Sequence, residues 1–205
     1  MDQIDRIFYI NLESRPDRNE HFLQEIPKLT TDTSKIHRIN AIYHTNGAIG
    51  CTMSHIKALQ EFIDHPEWTA CLIFEDDFTF HQSDPSQNQA ALQTLFTEFP
   101  SFDCCHLTKS YNLQYTHTTC SSIKKVLTIQ SSSGYCVSKA FAPTLLENLL
   151  ESKELLIQHG QSEFYALDQY WKRLQPIHNW YMVHPPVGYQ YANYSDITQK
   201  FEDYS

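Results

Sequence analysis

Several signatures that would have assigned this 205-residue chain at a glance are missing from it. No G-x-G-x-x-G follows its first apolar stretch and no G-x-x-x-x-G-K-[ST] occurs anywhere, so a dinucleotide-binding fold and a P-loop lose their main support. The absence of a G-x-S-x-G elbow removes the usual mark of a serine hydrolase. The six cysteines, Cys51, Cys71, Cys104, Cys105, Cys120 and Cys136, form no C-x-x-C pair, and the eleven histidines make no H-x-x-x-H. Neither a zinc motif nor a redox pair is therefore signalled, and the thiols read as small buried hydrophobes.

Positive charge is also scarce, with 15 Lys and Arg against 24 Asp and Glu, a net charge of -9 and a pI near 5.6. That balance argues against a broad nucleic-acid-binding face but allows one local basic pocket. No apolar run approaches the roughly 20 residues of a membrane span. The opening "MDQIDRIFYINLESRPDR" has neither the charged start nor the apolar stretch of a secretory signal. A cytoplasmic chain without a transmembrane segment is expected, with peripheral association at the inner face of a membrane left open. Repeats, low-complexity segments and Gly/Ser linkers are lacking, so residues 1–205 read as a single domain.

What is present alternates between strand and helix patterns. Strands are expected at Arg6–Leu12, Lys35–Ile42, Ala70–Phe74, Cys104–Leu107, Val126–Ile129 and Tyr135–Val137, with a last one in "WYMVH". Helices are expected over Thr52–Asp64 after a tight loop bracketed by Gly47 and Gly50, over Gln89–Glu98, from Lys139 capped by Ser138, and within "ALDQYWKRL". Ser14 and Pro16 predict a helix start after the first strand, and "PPVGY" a turn. This order implies an α/β sandwich with a mixed, largely parallel sheet, whose ligand crevice lies beyond the carboxyl ends of the strands.

The segment "CLIFEDDFTF" ends such a strand in three carboxylates, Glu75, Asp76 and Asp77. Side-chain alternation predicts Glu75 and Asp77 on one face and Asp76 on the other. Two carboxylates held together call for a cation, and a hard ion such as Mg²⁺ or Mn²⁺ with oxygen ligands suits them and leaves room for phosphates. Arg15 and Arg18 follow the first strand, reach the same edge of a parallel sheet, and can bind a diphosphate in bidentate fashion.

The segments "FYINLESRPDR", "GAIGCTMSHIKAL", "LIFEDD", "SSSGYCVSKAFAPTLL", "ALDQYW" and "HPPVGYQ…YSDI", in this order, resemble glycosyltransferase family 25, which includes lipooligosaccharide galactosyl- and glucosyltransferases and collagen galactosyltransferases. The resemblance implies a GT-A-like nucleotide-sugar fold, UDP-galactose or UDP-glucose as donor, Mn²⁺ or Mg²⁺ as cofactor, and inverting hexose transfer to a glycan, lipooligosaccharide or hydroxylysine acceptor. By the matched positions, Asn11, Leu12, Arg15 and Arg18 belong to the uridine diphosphate pocket. Asp77 becomes the direct metal ligand and Glu75 a ribose or metal-side contact, with Asp76 beside them. Asp168 in "ALDQYW" is the candidate base for inversion, or else a helix-start charge. Ser54 and His55 either contact donor phosphate or sugar or serve packing. Gly134 and Tyr135 would allow close approach of the acceptor or donor sugar, Tyr135 being otherwise a core residue, and His184 either completes the metal shell or is a plain strand-end histidine. The stretch Thr108–Lys124 reads as irregular and fits no shared segment. A catalytically inactive nucleotide-sugar or glycan-binding relative and a metal-dependent phosphohydrolase are the alternatives.

Overall fold

A computed structural model of the chain describes residues 1–110, 112–197 and 199–203. Eight strands among these residues form one mixed sheet: β1 (Arg6–Asn11), β2 (Ile36–Asn40), β3 (Ala70–Glu75), β5 (Cys104–His106), β6 (Gln114–His117), β7 (Ile123–Thr128), β8 (Gly134–Ser138) and β9 (Trp180–Val183). Their order across the sheet is β2-β1-β3-β8-β5-β9-β7-β6. Pairing is parallel in β1/β2, β1/β3 and β5/β9, and antiparallel wherever β8 or β7 meets a neighbour. Six strands thus point one way and only β7 and β8 run against them.

The central strands are apolar on both faces, as burial under helices on each side requires. Phe8, Ile10, Cys71 and Ile73 pack with Ala58, Leu59 and Phe62 of α2 (Gly47–Asp64) and with Ala142, Leu145 and Leu149 of α4 (Ala142–His159). The alternate residues Ile7, Tyr9, Leu72 and Phe74 face Phe22 of α1 (Pro16–Glu25) and Leu92 and Leu95 of α3 (Pro85–Glu98). Each fully buried large side chain contributes about 1.5–3 kcal/mol, so this period-two division supplies much of the drive for the layered fold.

Several local expectations are corrected. Helix α2 begins at Gly47 rather than Thr52, because Asn46 caps it by accepting from the Ala48 and Ile49 amides. Gly50 therefore lies inside the helix, where a Cβ would meet the Ile42 carbonyl oxygen at 2.6 Å. Ser14 does not cap α1; Arg15 stands at that position without a side-chain cap, and Pro16 opens the helix. Ser138 ends β8, and its hydroxyl accepts from the Phe141 amide one turn before α4 starts. The stretch Thr108–Lys124 contains β6, which pairs with β7 as the outer hairpin of the sheet; its Tyr111 lies outside the described residues. Part of "PPVGY" is also strand, since β10 (Gly188–Gln190) pairs with β4 (Phe78–Phe80). Near the C-terminus β11 (Asn193–Ser195) and β12 (Lys200–Glu202) form a further hairpin. Between α4 and β9 lie two single-turn helices, α5 (Ser162–Tyr165) and α6 (Leu167–Tyr170).

Candidate active site

A cavity of about 330 Å³ opens at the carboxyl edge of β1, β2 and β3, where an α/β sheet presents ligands. Its wall takes Leu12 and Arg18 from beyond β1, Ala41 to His44 from beyond β2, Ser54 and His55 from α2, and Glu75, Asp76 and Asp77 from the end of β3. Because β8 is antiparallel, the residues before it, Gln130 to Ser132, arrive at the same edge, and Asp168 of α6 closes that side.

The acidic trio does not split between two faces. Strand β3 stops at Glu75 and the backbone turns at Asp76 and Asp77, so all three line the cavity. The turn is locked by Phe78, fully buried and 4.7 Å centroid to centroid from Phe74. A Cβ on Gly134 would stand 2.6 Å from the Phe78 ring and one on Gly188 2.4 Å from it. Gly134 thus makes room for a phenylalanine, which corrects the expectation that it admits a sugar.

Asp76 accepts from Asn11 Nδ2 at 2.6 Å and from Arg18 Nη1 at 3.0 Å, while Arg18 Nη2 lies 3.3 Å from Asp77 Oδ2. Asn11 is in turn held by Arg38, whose Nη2 donates to its Oδ1 at 2.6 Å. Asn11 therefore acts behind the wall, fixing Asp76. Gln190 Nε2 stands 3.4 Å from both Glu75 Oε2 and Asp77 Oδ1. Burial, reinforced by repulsion from Glu75 and Asp76 and only partly offset by Arg18, raises Asp77 to a pKa of about 7. Burial likewise raises Asp76 against the pull of Arg18 and Asn11. Glu75 goes the other way: burial works against its charge, but His55, the Ser132 hydroxyl and Arg18 hold it below the usual range. Three carboxylates crowd around one guanidinium in a largely buried, oxygen-rich set, and burial with mutual repulsion opposes their charge until a cation joins them. This set fits a hard divalent ion, with Asp77 and Glu75 as the residues able to hold it.

Asp168 is partly buried, and its Oδ2 accepts from the Ser131 amide at 3.0 Å. Burial raises its pKa, the amide pulls it down, Glu75 adds repulsion and Lys172 opposes it. Ser131 adopts φ 84°, a left-handed conformation that a serine holds only where surrounding structure imposes it. Ser54 lines the cavity with its hydroxyl engaged, donating to the Gly50 carbonyl at 2.7 Å and accepting from the Ile42 amide at 2.8 Å. His55 is fully buried, with Nδ1 3.0 Å from the Tyr135 hydroxyl.

Other expected residues lie elsewhere. Tyr135 is core, stacked beside His55 and outside the cavity wall. His184 sits exposed past β9, its amide bonded to the Ser122 carbonyl, and it joins none of the acidic residues. A strand-end position alone did not distinguish the cavity edge from the outer hairpin. Arg15 stands outside the wall, bound to Asp17 at 2.8 Å and to Asp196 of the C-terminal hairpin at 2.5 Å. That hairpin also meets Arg18, through the side chain of Asn193 and the Tyr194 carbonyl. Gln190, Ser132 and Asn193 are site residues that reading the sequence did not single out. All three stand within or beside segments that carried the resemblance, Ser132 in "SSSGYC", Gln190 at the end of "HPPVGYQ" and Asn193 just before "YSDI".

No curated protein matches the chain by sequence. A glycosyltransferase involved in the glycosylation of the major capsid of PBCV-1 is similar in structure, with a TM-score of 0.50 and 10% identity over 86% of this chain and 80% of its own. An apo UDP-glucose pyrophosphorylase reaches 0.53 at 8% identity, covering 91% of this chain and 75% of its own. Mannose-1-phosphate geranyltransferase from Thermus thermophilus gives 0.50 at 9% identity, over 88% and 73%. These likenesses establish the α/β, GT-A-like fold. The sequence model described as glycosyltransferase family 25 (LPS biosynthesis protein) matches residues 43–159, more than half of the chain and the part that holds the acidic trio, and the chain belongs to that family.

Proposed function

We propose that the cavity binds a UDP-hexose, with galactose or glucose as the sugar, and transfers the hexose with inversion to a hydroxyl of a saccharide acceptor. The observation that carries this reading is the trio Glu75, Asp76 and Asp77 at the carboxyl edge of the sheet, with buried Asp76 and Asp77 meeting Arg18. Mn²⁺ or Mg²⁺ held by Asp77, with Glu75 beside it, would offset the charge of the departing diphosphate. Arg18 supplies a guanidinium to the same group, and its buried Nε has no hydrogen-bond partner among the described residues. Leu12, Ala41 and Ile42 give the apolar wall that a nucleobase needs beyond β1 and β2.

Asp168 serves as the base. Its carboxylate, oriented by the Ser131 amide and lining the same cavity as Arg18, takes the acceptor hydroxyl proton as the sugar–phosphate bond breaks. Its raised pKa favours that role. The test is UDP release from UDP-galactose and UDP-glucose, in Mn²⁺ and in EDTA, for the wild type and Asp168→Asn. Metal-dependent release that falls in Asp168→Asn supports the reading, and release indifferent to metal or to Asp168→Asn contradicts it.

A further inference from the structure

We infer that the wall of the cavity holds a second metal site, for a borderline-soft ion such as Zn²⁺, built from Cys51, His55 and Glu75. Cys51 and His55 stand one turn apart on α2, and Glu75 ends β3 beside them. One ligand atom from each, a thiol sulfur, an imidazole nitrogen and a carboxylate oxygen, lie within 4.8 Å of one another. An ion bound at about 2.0–2.3 Å from each draws this triangle in by about 1 Å.

A second observation points the same way. His55 is 0% exposed, and its Nε2 makes no hydrogen bond among the described residues although it faces Glu75 Oε1 at 3.4 Å. The other nitrogen, Nδ1, is 3.0 Å from the Tyr135 hydroxyl, the outer contact that orients a metal-bound imidazole. Ser132 Oγ donates to the same oxygen, Glu75 Oε1, at 2.5 Å and fixes that carboxylate. Three protein ligands with the fourth position open to the cavity form the arrangement of a zinc site that keeps an exchangeable water. On binding, the Sγ–H bond of Cys51 breaks, its proton leaves to solvent and the sulfur donates its electron pair to the ion. Sulfur and imidazole distinguish this site from the all-oxygen set around Asp77.

Cobalt(II) titration of the metal-free protein, without nucleotide, tests the inference. The wild type is expected to show a near-ultraviolet thiolate-to-cobalt charge-transfer band saturating at one equivalent and abolished by one equivalent of Zn²⁺. Cys51→Ser, close to isosteric, should lose the band and bind Co²⁺ at least about tenfold more weakly, whereas Asp77→Asn should keep it. No band in the wild type, or a band that persists in Cys51→Ser, overturns the site. A band lost equally in Asp77→Asn overturns its independence of Asp77, the two sites sharing only Glu75. None of these readings depends on UDP-sugar binding, so failure of the proposed transfer reaction would leave them intact.

Discussion

His106 is fully buried between Trp171 and Trp180, and neither of its ring nitrogens has a hydrogen-bond partner among the described residues. Burial alone drives its pKa from 6.5 to about 3. Below about pH 6.5 the unfolded chain takes up a proton that the folded chain refuses until about pH 3. Stability is therefore flat in this group above pH 6.5 and falls by up to about 1.4 kcal/mol per pH unit on the way down. His106→Phe keeps the aromatic packing and removes the titration. Urea melts at pH 7 and pH 5 should give a smaller drop for the variant than for the wild type, and an equal drop would refute this account of His106. At Asp168 the expectation is kinetic: Asp168→Asn should lower kcat by about 10²–10⁴-fold while donor affinity stays within a few-fold. Loss of both together would mean that the carboxylate binds donor instead.

At the scale of elements, the pairing of β4 with β10 positions the acidic turn, because it seats Phe78 against Gly134 and Gly188. A methyl group at Gly188 would stand 2.4 Å from both the Phe78 ring and the Thr79 carbonyl oxygen, and backbone cannot yield as a side chain can. Gly188→Ala should cost about 1–3 kcal/mol in denaturant unfolding and weaken metal binding with it. Unchanged metal affinity in a destabilised variant would separate the turn from the site. The β11–β12 hairpin sets up a competition, since Asp196 already engages Arg15. Replacing Asp196 with Asn should strengthen UDP binding a few-fold if Arg15 turns to phosphate, whereas unchanged affinity would assign Arg15 to the hairpin alone. Such contacts, 181 residues apart in sequence, leave no local pattern to read.

Across the whole molecule, the layers were legible because unbroken apolar strands alternate with amphipathic helices, and parallel β1 and β3 bring Arg18 to Asp76 and Asp77. The orientation of Asp76 was not legible, because alternation stops where the strand stops, and the strand ends one residue before it. Gly134 reads in one dimension as room for a sugar and Tyr135 as either a sugar contact or core, because neither their depth nor the Phe78 ring is visible there. Asn46 was legible in principle as a helix cap, and would have placed Gly47 and Gly50 in α2. Buried carboxylates, a guanidinium and an apolar wall meet in one cavity, whose proposed ligand is a metal-bound nucleotide sugar. Titration calorimetry of UDP-galactose and UDP-glucose into the protein, in Mn²⁺ and again in EDTA, tests that proposal most directly. The account predicts saturable binding of at least one donor in Mn²⁺ that weakens at least about tenfold in EDTA and in Asp77→Asn. Binding of neither donor, or equal binding with and without metal, would contradict it.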